Sequence, residues 1–312
     1  MNSKNKNVTD AVGNTPLVIL KNIVPANAAR IVVKMESANP TGSMKDRMAR
    51  AVILGAREKG WIKAGSTIVE YTAGTTGISL AFVCAALGYN FHAVMGDAFS
   101  REKKLTMQAF GATVTDVISD NKQITQKLIK DMIETSRQLS MQPNHWWADQ
   151  LNNHDAETGY YSLGDEIWEQ TGGDVEAFVH TVSTAHSIHG VTKALHKHKK
   201  DIKIYAVEPD ESAVLSGRPS GSHKIEGIGI GFIPPLWQPT IVDEILTVTT
   251  EEAITMTRRL AREEGIFAGT STGANIVAAI RIAEKLGHGK TVATLIVDSG
   301  LRYLSTPLYA NL

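Results

Sequence analysis

Residues 67–95, TIVEYTAGTTGISLAFVCAALGYNFHAVM, decide the fold. A short β-rich run, Thr67 to Tyr71, meets a turn of glycine and threonine that leads into a helix from Gly77 to Leu87. Gly88 stops that helix and a second strand follows at Phe91 to Met95. The same alternation extends both ways. Upstream, Ile31 to Met35 reads as a strand, Asn39-Pro40-Thr41-Gly42 as a turn, and Lys45 to Lys59 as a helix closed by Gly60. Downstream, Ser100 stands as N-cap of a helix to Phe110 that ends at Gly111, and Thr113 to Val117 reads as a strand. Helices are expected over Gln123 to Leu139 and Glu157 to Gln170, and the aromatic, polar segment HWWADQLNN between them reads as a crossing between domains. Ala177 to Val182, Ile204 to Val207 and Thr291 to Val297 are apolar enough for buried parallel strands, with helices near Ile188 to Lys199, Glu251 to Glu264 and Gly273 to Leu286. Strands alternating with helices predict an α/β protein with open, mostly parallel twisted sheets flanked by helices, right-handed crossovers, and ligands at the carboxyl ends of strands.

A chain of 312 residues favours about two domains. The 32 basic side chains balance 32 acidic ones, which argues against a nucleic acid or an anionic membrane as partner, since both need a basic field. The single cysteine, Cys84, cannot form an intrachain disulfide or a cysteine-based metal site, and its run LAFVCAAL makes it a small buried hydrophobe. The opening MNSKNKNVTDAVG has no apolar targeting segment, and no stretch reaches the roughly 18 apolar residues that span a bilayer. These features predict a soluble, cytoplasmic protein.

Four segments carry chemistry. In Asn39-Pro40-Thr41-Gly42-Ser43-Met44-Lys45-Asp46-Arg47 a turn delivers Lys45 to the first position of a helix. The positive end of a helix does not stabilise an ammonium, so a desolvated lysine there is available as a neutral nucleophile; the alternative is a solvated lysine beside Asp46. Glu70-Tyr71-Thr72-Ala73-Gly74-Thr75-Thr76-Gly77 runs from a strand into a helix start whose N–H groups and hydroxyls suit a carboxylate or phosphate, or simply cap the turn. Val182 to Gly190 repeats strand, small-residue turn and helix, with Thr184 and Ser187 as hydroxyls suited to a phosphate but without the usual glycines. Ala268 to Ala274 is a hydroxyl turn that could present one neutral hydrogen-bond partner or serve as an ordinary N-cap. His186 and His189 lie three apart, yet no carboxylate or cysteine joins them, so a solvated or core role is expected and no metal site. No Gly-x-Gly-x-x-Gly with a following acidic residue occurs after a strand, which removes a dinucleotide-binding oxidoreductase.

Taken together, these segments resemble the cysteine synthase (O-acetylserine sulfhydrylase) and cystathionine β-synthase family of fold type II pyridoxal-phosphate enzymes. The resemblance covers almost the whole chain. It includes Gly13-Asn14-Thr15-Pro16-Leu17, Asn39 to Arg47, Ala206-Val207-Glu208-Pro209, His223 to Gly229, Glu264-Gly265-Ile266 and Tyr303-Leu304-Ser305-Thr306. It implies two sheets in a tryptophan synthase β-like arrangement, with a smaller mobile domain at 35–145 carrying the substrate loop and a larger cofactor domain at 1–34 and 146–312. It implies pyridoxal 5'-phosphate as cofactor, held covalently by Lys45, with Thr75 near the ring oxygen and Ser271 at the pyridine nitrogen. The phosphate falls to Ser183, Thr184, Ala185, His186 and Ser187. Thr72, Ala73, Gly74, Thr76, Gln150, Gly227 and Ile228 line the amino-acid substrate. It further implies a homodimer and β-replacement on an O-activated L-serine, such as O-acetylserine, with sulfide or a similar nucleophile as acceptor. Lys45 is then the general base for the Cα proton.

The chain departs from the family pattern in three places. Ala73 and Thr75 stand where a serine and an asparagine are usual, which removes one polar contact to the substrate and puts a hydroxyl near the ring oxygen. The phosphate turn reads Ser183-Thr184-Ala185-His186-Ser187 in place of Gly-Thr-Gly-Gly-Thr, and His186 either adds a donor or points outward. Asp149 and Gln150 compete for the place of a glutamine; Gln150 is favoured, since an anion would repel the substrate carboxylate. The competing readings are β-elimination from cysteine or serine, and a cofactor-binding homologue without turnover.

Overall fold

The computed structural model describes residues 7–122 and 125–310. Its strands, in chain order, are β1 (Leu17–Ile19), β2 (Arg30–Met35), β3 (Thr67–Tyr71), β4 (Asn90–Gly96), β5 (Thr113–Val117), β6 (His145–Trp147), β7 (Ala177–Thr181), β8 (Lys203–Pro209), β9 (Glu244–Val248) and β10 (Thr291–Ile296). The α-helices are α1 (Lys45–Glu58), α2 (Thr75–Leu87), α3 (Arg101–Ala109), α4 (Gln126–Ser140), α5 (Asp155–Thr158), α6 (Tyr161–Thr171), α7 (His186–His198), α8 (Thr250–Arg259) and α9 (Thr270–Leu286).

Contacts group the chain into two compact units. The first holds Asn39–Gly159 with the N-terminal residues up to Gly13, and the second holds Asn14–Ala38 with the chain from Tyr160 onward. The sequence expectation draws the divisions at 34/35 and 145/146. In the structure β6 pairs in parallel with β3, Thr67 opposite His145 and Val69 opposite Trp147, so HWWADQLNN contributes an edge strand to the first unit.

The first unit is built on a four-stranded parallel sheet, β5-β4-β3-β6. Helix α2 is apolar and buried from Thr76 through Cys84, which is why its sequence shows no polar stripe. Burial pushes the Cys84 thiol up, so it packs as an inert hydrophobe. The second unit is built on a six-stranded sheet, β1-β2-β10-β7-β8-β9, parallel except for β1. β10 lies between β2 and β7, and every residue of β7 and β10 is buried, as their unbroken apolar reading requires. Ile31, Val33, Val179, Val207, Ile276 and Val292 meet in the core of this unit, each worth about 1.5–3 kcal/mol on burial.

The expected helix over Glu157 to Gln170 is two helices, α5 and α6, and at Gly159 between them a Cβ would meet the Arg47 carbonyl oxygen at 2.5 Å. The expected helix over Glu251 to Glu264 is α8 followed by a π-type turn, Leu260–Glu264. Of the helix expected from Gln123, Gln123 itself lies outside the described residues; α4 begins at Gln126, with the Thr125 side chain accepting the Leu128 N–H. Among the described residues no helix is long and apolar enough to cross a membrane.

Candidate active site

In the first unit, the turn before α1 is closed by Asp46. The Thr41 N–H donates to Asp46 Oδ2 at 2.7 Å and the Thr41 hydroxyl to Oδ1 at 2.5 Å, while the Lys45 N–H donates to Ser43 Oγ at 3.2 Å. Asp46 is buried and holds this turn, whereas Lys45, the first residue of α1, is half-buried.

The loop from β3 to α2 is tied by its own hydroxyls. Thr72 Oγ1 accepts the N–H of Gly74 at 2.9 Å and of Gly77 at 3.0 Å. Gly74 has φ 117°, open to glycine, and a Cβ there would meet Lys103 Cδ at 2.4 Å. Gln150 donates its backbone N–H to Glu70 Oε2 (3.0 Å) and its side-chain Nε2 to the Tyr71 carbonyl (2.9 Å), and its Oε1 accepts the Thr76 hydroxyl (3.0 Å). Thr72, Gly74, Thr76 and Gln150 therefore share one cluster, with Ala73 exposed and Thr75 half-buried at its rim. The Asp149 carboxylate turns instead to Asn152 Nδ2. The sequence reading did not single out Glu70. Burial, with the nearby Asp149 charge, raises its carboxyl well above the ordinary value although the Gln150 N–H opposes the shift. The available signal was an acidic residue inside a buried strand.

In the second unit, β7 runs through Val182 and Ser183 into α7. Thr184, Ala185, His186 and Ser187 are buried and Ser183 half-buried. Ala185 has φ 71°, a left-handed conformation at the N-cap of α7, whose first-turn N–H groups suit an anion. His186 is buried, and its Nδ1 pairs with Thr184 Oγ1 at 3.0 Å, so the ring faces inward. His189 is buried and stacks on Trp237, ring centres 5.7 Å apart. The Gly229 N–H donates to the Val182 carbonyl at 3.2 Å and the Glu226 N–H to Thr270 Oγ1 at 3.0 Å. These bonds bring the 226–229 loop to the end of β7 and the start of α9, where Ser271 is buried. Gly227 is exposed, while Ile228 packs its side chain into the core of this unit and leaves its backbone at the loop.

The donors present fit pyridoxal phosphate. A dianionic phosphate matches the first turn of the 13-residue α7 with two buried hydroxyls, and a neutral hydroxyl matches a pyridine nitrogen. Among the described residues, no three His, Cys, Asp or Glu are placed to hold a metal.

Two mostly parallel sheets with these helix-start turns define a fold type II pyridoxal-phosphate-dependent enzyme. The chain belongs to the pyridoxal-phosphate dependent enzyme family, whose model matches residues 8–298, and within it to the cysteine synthase group. It is 43% identical to cysteine synthase of Staphylococcus aureus over 306 residues, 97% of either chain. The crystal structure of cysteine synthase from Entamoeba histolytica superposes with a TM-score of 0.89 at 36% identity, covering 99% of this chain and 93% of that one. The O-acetylserine dependent cystathionine β-synthase of Helicobacter pylori gives a TM-score of 0.90 at 34% identity, covering 97% and 98%. The cofactor of this chain is pyridoxal phosphate, and a small-molecule amino acid as substrate is consistent with its cysteine synthase relatives.

Proposed function

We propose that the protein catalyses β-replacement on an O-activated L-serine such as O-acetylserine, with sulfide or a similar nucleophile as acceptor, releasing L-cysteine or another β-substituted alanine. The observation that carries this reading is the neutral donor cluster around Thr72 and Gln150 at the positive end of α2. The activities named for the S. aureus and H. pylori relatives support it.

Pyridoxal phosphate, when bound, supplies an electron sink beside the substrate's Cα. Lys45 would hold it covalently and, as a free amine, its Nζ would take the Cα proton; the positive end of α1 favours the neutral amine that this needs. Since Thr76 gives its hydroxyl proton to Gln150, the donors left for the substrate carboxylate are the Thr72 hydroxyl, the second Gln150 Nε2 hydrogen and the first-turn N–H groups of Thr75 and Thr76. Thr75 would face the ring oxygen. Ser183 to Ser187 would hold the phosphate, and Ser271 would meet the ring nitrogen without a charge. Gly227 and Ile228 line the substrate side with backbone, and Ala73 leaves room for an acceptor larger than sulfide. A homodimer in the cytoplasm completes the proposal, supported by the family resemblance and by the single, buried thiol; light scattering should return twice the 33.8 kDa chain mass.

The test is to add O-acetylserine to the cofactor-loaded protein, follow its absorbance, and then add sulfide. Ping-pong turnover to cysteine is expected, together with borohydride trapping of the cofactor on Lys45 and loss of both in Lys45→Ala. Accumulation of pyruvate and ammonia alone would mean elimination, and no spectral response to any amino acid would mean a binding protein without turnover.

A further inference from the structure

We infer that His180 is a positioning residue of the phosphate subsite: Asn275 locks its imidazole with hydrogen on Nε2, so that it donates to Ser187 and leaves the serine's own proton for a phosphate oxygen. This rests on the reading of residues 183–187 as the phosphate turn.

The orientation of Asn275 comes first. Its Oδ1 accepts the Thr181 N–H at 2.8 Å and its Nδ2 donates to the Leu295 carbonyl at 3.0 Å. Flipping the amide would set oxygen against oxygen and N–H against N–H, so the assignment is forced by two backbone groups. The remaining Nδ2 hydrogen faces His180 Nδ1 at 3.4 Å. A ring nitrogen that faces a donor is the acceptor, and a neutral imidazole then carries its hydrogen on Nε2. Nε2 lies 2.9 Å from Ser187 Oγ, so the ring donates and the hydroxyl accepts.

The consequence falls on the ligand side. Ser187 is the second residue of α7 and its hydroxyl is buried at that helix's positive end. A hydroxyl that accepts from histidine keeps its own hydrogen to give away, and a phosphate dianion offers only acceptors. The opposite tautomer would take the serine proton and turn lone pairs toward the phosphate. This chain has alanine and histidine at 185 and 186, so a committed hydroxyl donor at 187 carries more of the binding. The parts are spread over β7, α7, α9 and β10 of one unit, each buried, which makes the arrangement rigid.

The experiment uses full-length protein. In the cofactor-free chain, nitrogen-15 NMR of the histidines should show His180 as the Nε2–H tautomer. His180→Leu, which keeps bulk without a donor, should weaken pyridoxal phosphate affinity on the order of tenfold, the loss of the neutral bond that keeps the Ser187 proton turned to the phosphate. His180→Gln, whose amide donor sits near the place of Nε2, should restore most of it. Adding His180→Leu to Ser187→Ala should cause no further loss, and the phosphorus-31 resonance of bound cofactor should move in His180→Leu and return in His180→Gln. An Nδ1–H tautomer, or undiminished affinity in His180→Leu, overturns the role of His180. If His180→Leu does not fold, the tautomer and the His180→Gln affinity decide. A wild-type chain that binds no pyridoxal phosphate overturns the cofactor reading itself, whatever the tautomer.

Discussion

Ala185 pays for its place: an L residue at φ 71° carries steric strain that glycine does not, and the family pattern has glycine there. Ala185→Gly should therefore raise stability by about 0.5–1 kcal/mol, the relief exceeding the entropy glycine adds to the unfolded chain; lower stability in urea titrations would show that the alanine methyl packs well enough to outweigh the strain. Glu70 is a second residue whose surroundings set its chemistry. Its reference value is 4.5 and burial raises it well above that in the fold. Below 4.5 both states are protonated, and above it the folded chain binds the extra proton, so stability falls as pH rises from 4.5 through the raised value. Glu70→Gln keeps the shape and cannot ionise. Denaturation at about pH 5 and about pH 8 should show a smaller loss in the variant, and an equal loss would mean that Glu70 is ionised in the folded protein. Neither behaviour was legible in the sequence, because Ala185 shows its backbone angle and Glu70 its burial only once β7 and β3 sit inside their sheets. Lys45, Thr72 and Thr76 stood out as candidates, because a turn opening a helix leaves a signature of glycines and hydroxyls, whereas Gln150 was singled out only through the family resemblance.

Strands β3 and β5 fall where the sequence puts them, residue for residue, while β1, β6 and β9 were not read as strands. All three lie at sheet edges, and each is only partly buried. An edge strand needs no continuous apolar run, so short half-exposed segments of three to five residues merge with loops in the sequence. Helix α8 illustrates a local signal that the structure makes specific. Thr249 Oγ1 accepts the Glu252 N–H at 3.2 Å and Glu252 Oε2 accepts the Thr249 N–H at 2.9 Å, a reciprocal cap that sets the helix start. Thr249→Ala should lower stability by about 1 kcal/mol, read as a shift of the urea midpoint, with Thr249→Ser recovering most of it. If Thr249→Ser were as unstable as the alanine variant, the methyl group and not the cap would be what matters. The π-type turn that ends this segment has no comparable sequence mark.

At the scale of the whole molecule, the alternation of strands and helices predicted the sheets, and the ordered motifs pointed to the cofactor. The interleaving of the chain was harder to read, since Asn14–Ala38 joins a unit whose remaining residues start at Tyr160. Lys34 is the residue that makes this joining expensive to undo. In the sequence it interrupts IVVKM as a lone charge. In the structure it is fully buried, its ammonium bonded to the Thr15 carbonyl, to Gln170 Oε1 at 2.9 Å and to Glu166 Oε2 at 2.6 Å. Glu166 Oε1 also accepts the Asn14 N–H at 3.0 Å, and Gln170 Nε2 donates to the Thr15 carbonyl at 3.1 Å. One buried charge thus ties β2 and the segment before β1 to α6. Removing it alone leaves a largely buried carboxylate without its counter-ion, so Lys34→Ala should destabilise the second unit by roughly 3–5 kcal/mol. Replacing both charges, as Lys34→Met with Glu166→Leu, should lose much less than Lys34→Ala, because no uncompensated charge stays behind. Hydrogen exchange resolves the affected part: the amides of β1 and β2 should exchange faster in Lys34→Ala, whereas those of β3 and β4 in the other unit should keep wild-type rates. Uniform acceleration in both units would place the clamp's effect on the whole chain, and no change at β1 would show that hydrophobic burial of Ile31 and Val33 already suffices to hold the N-terminal segment.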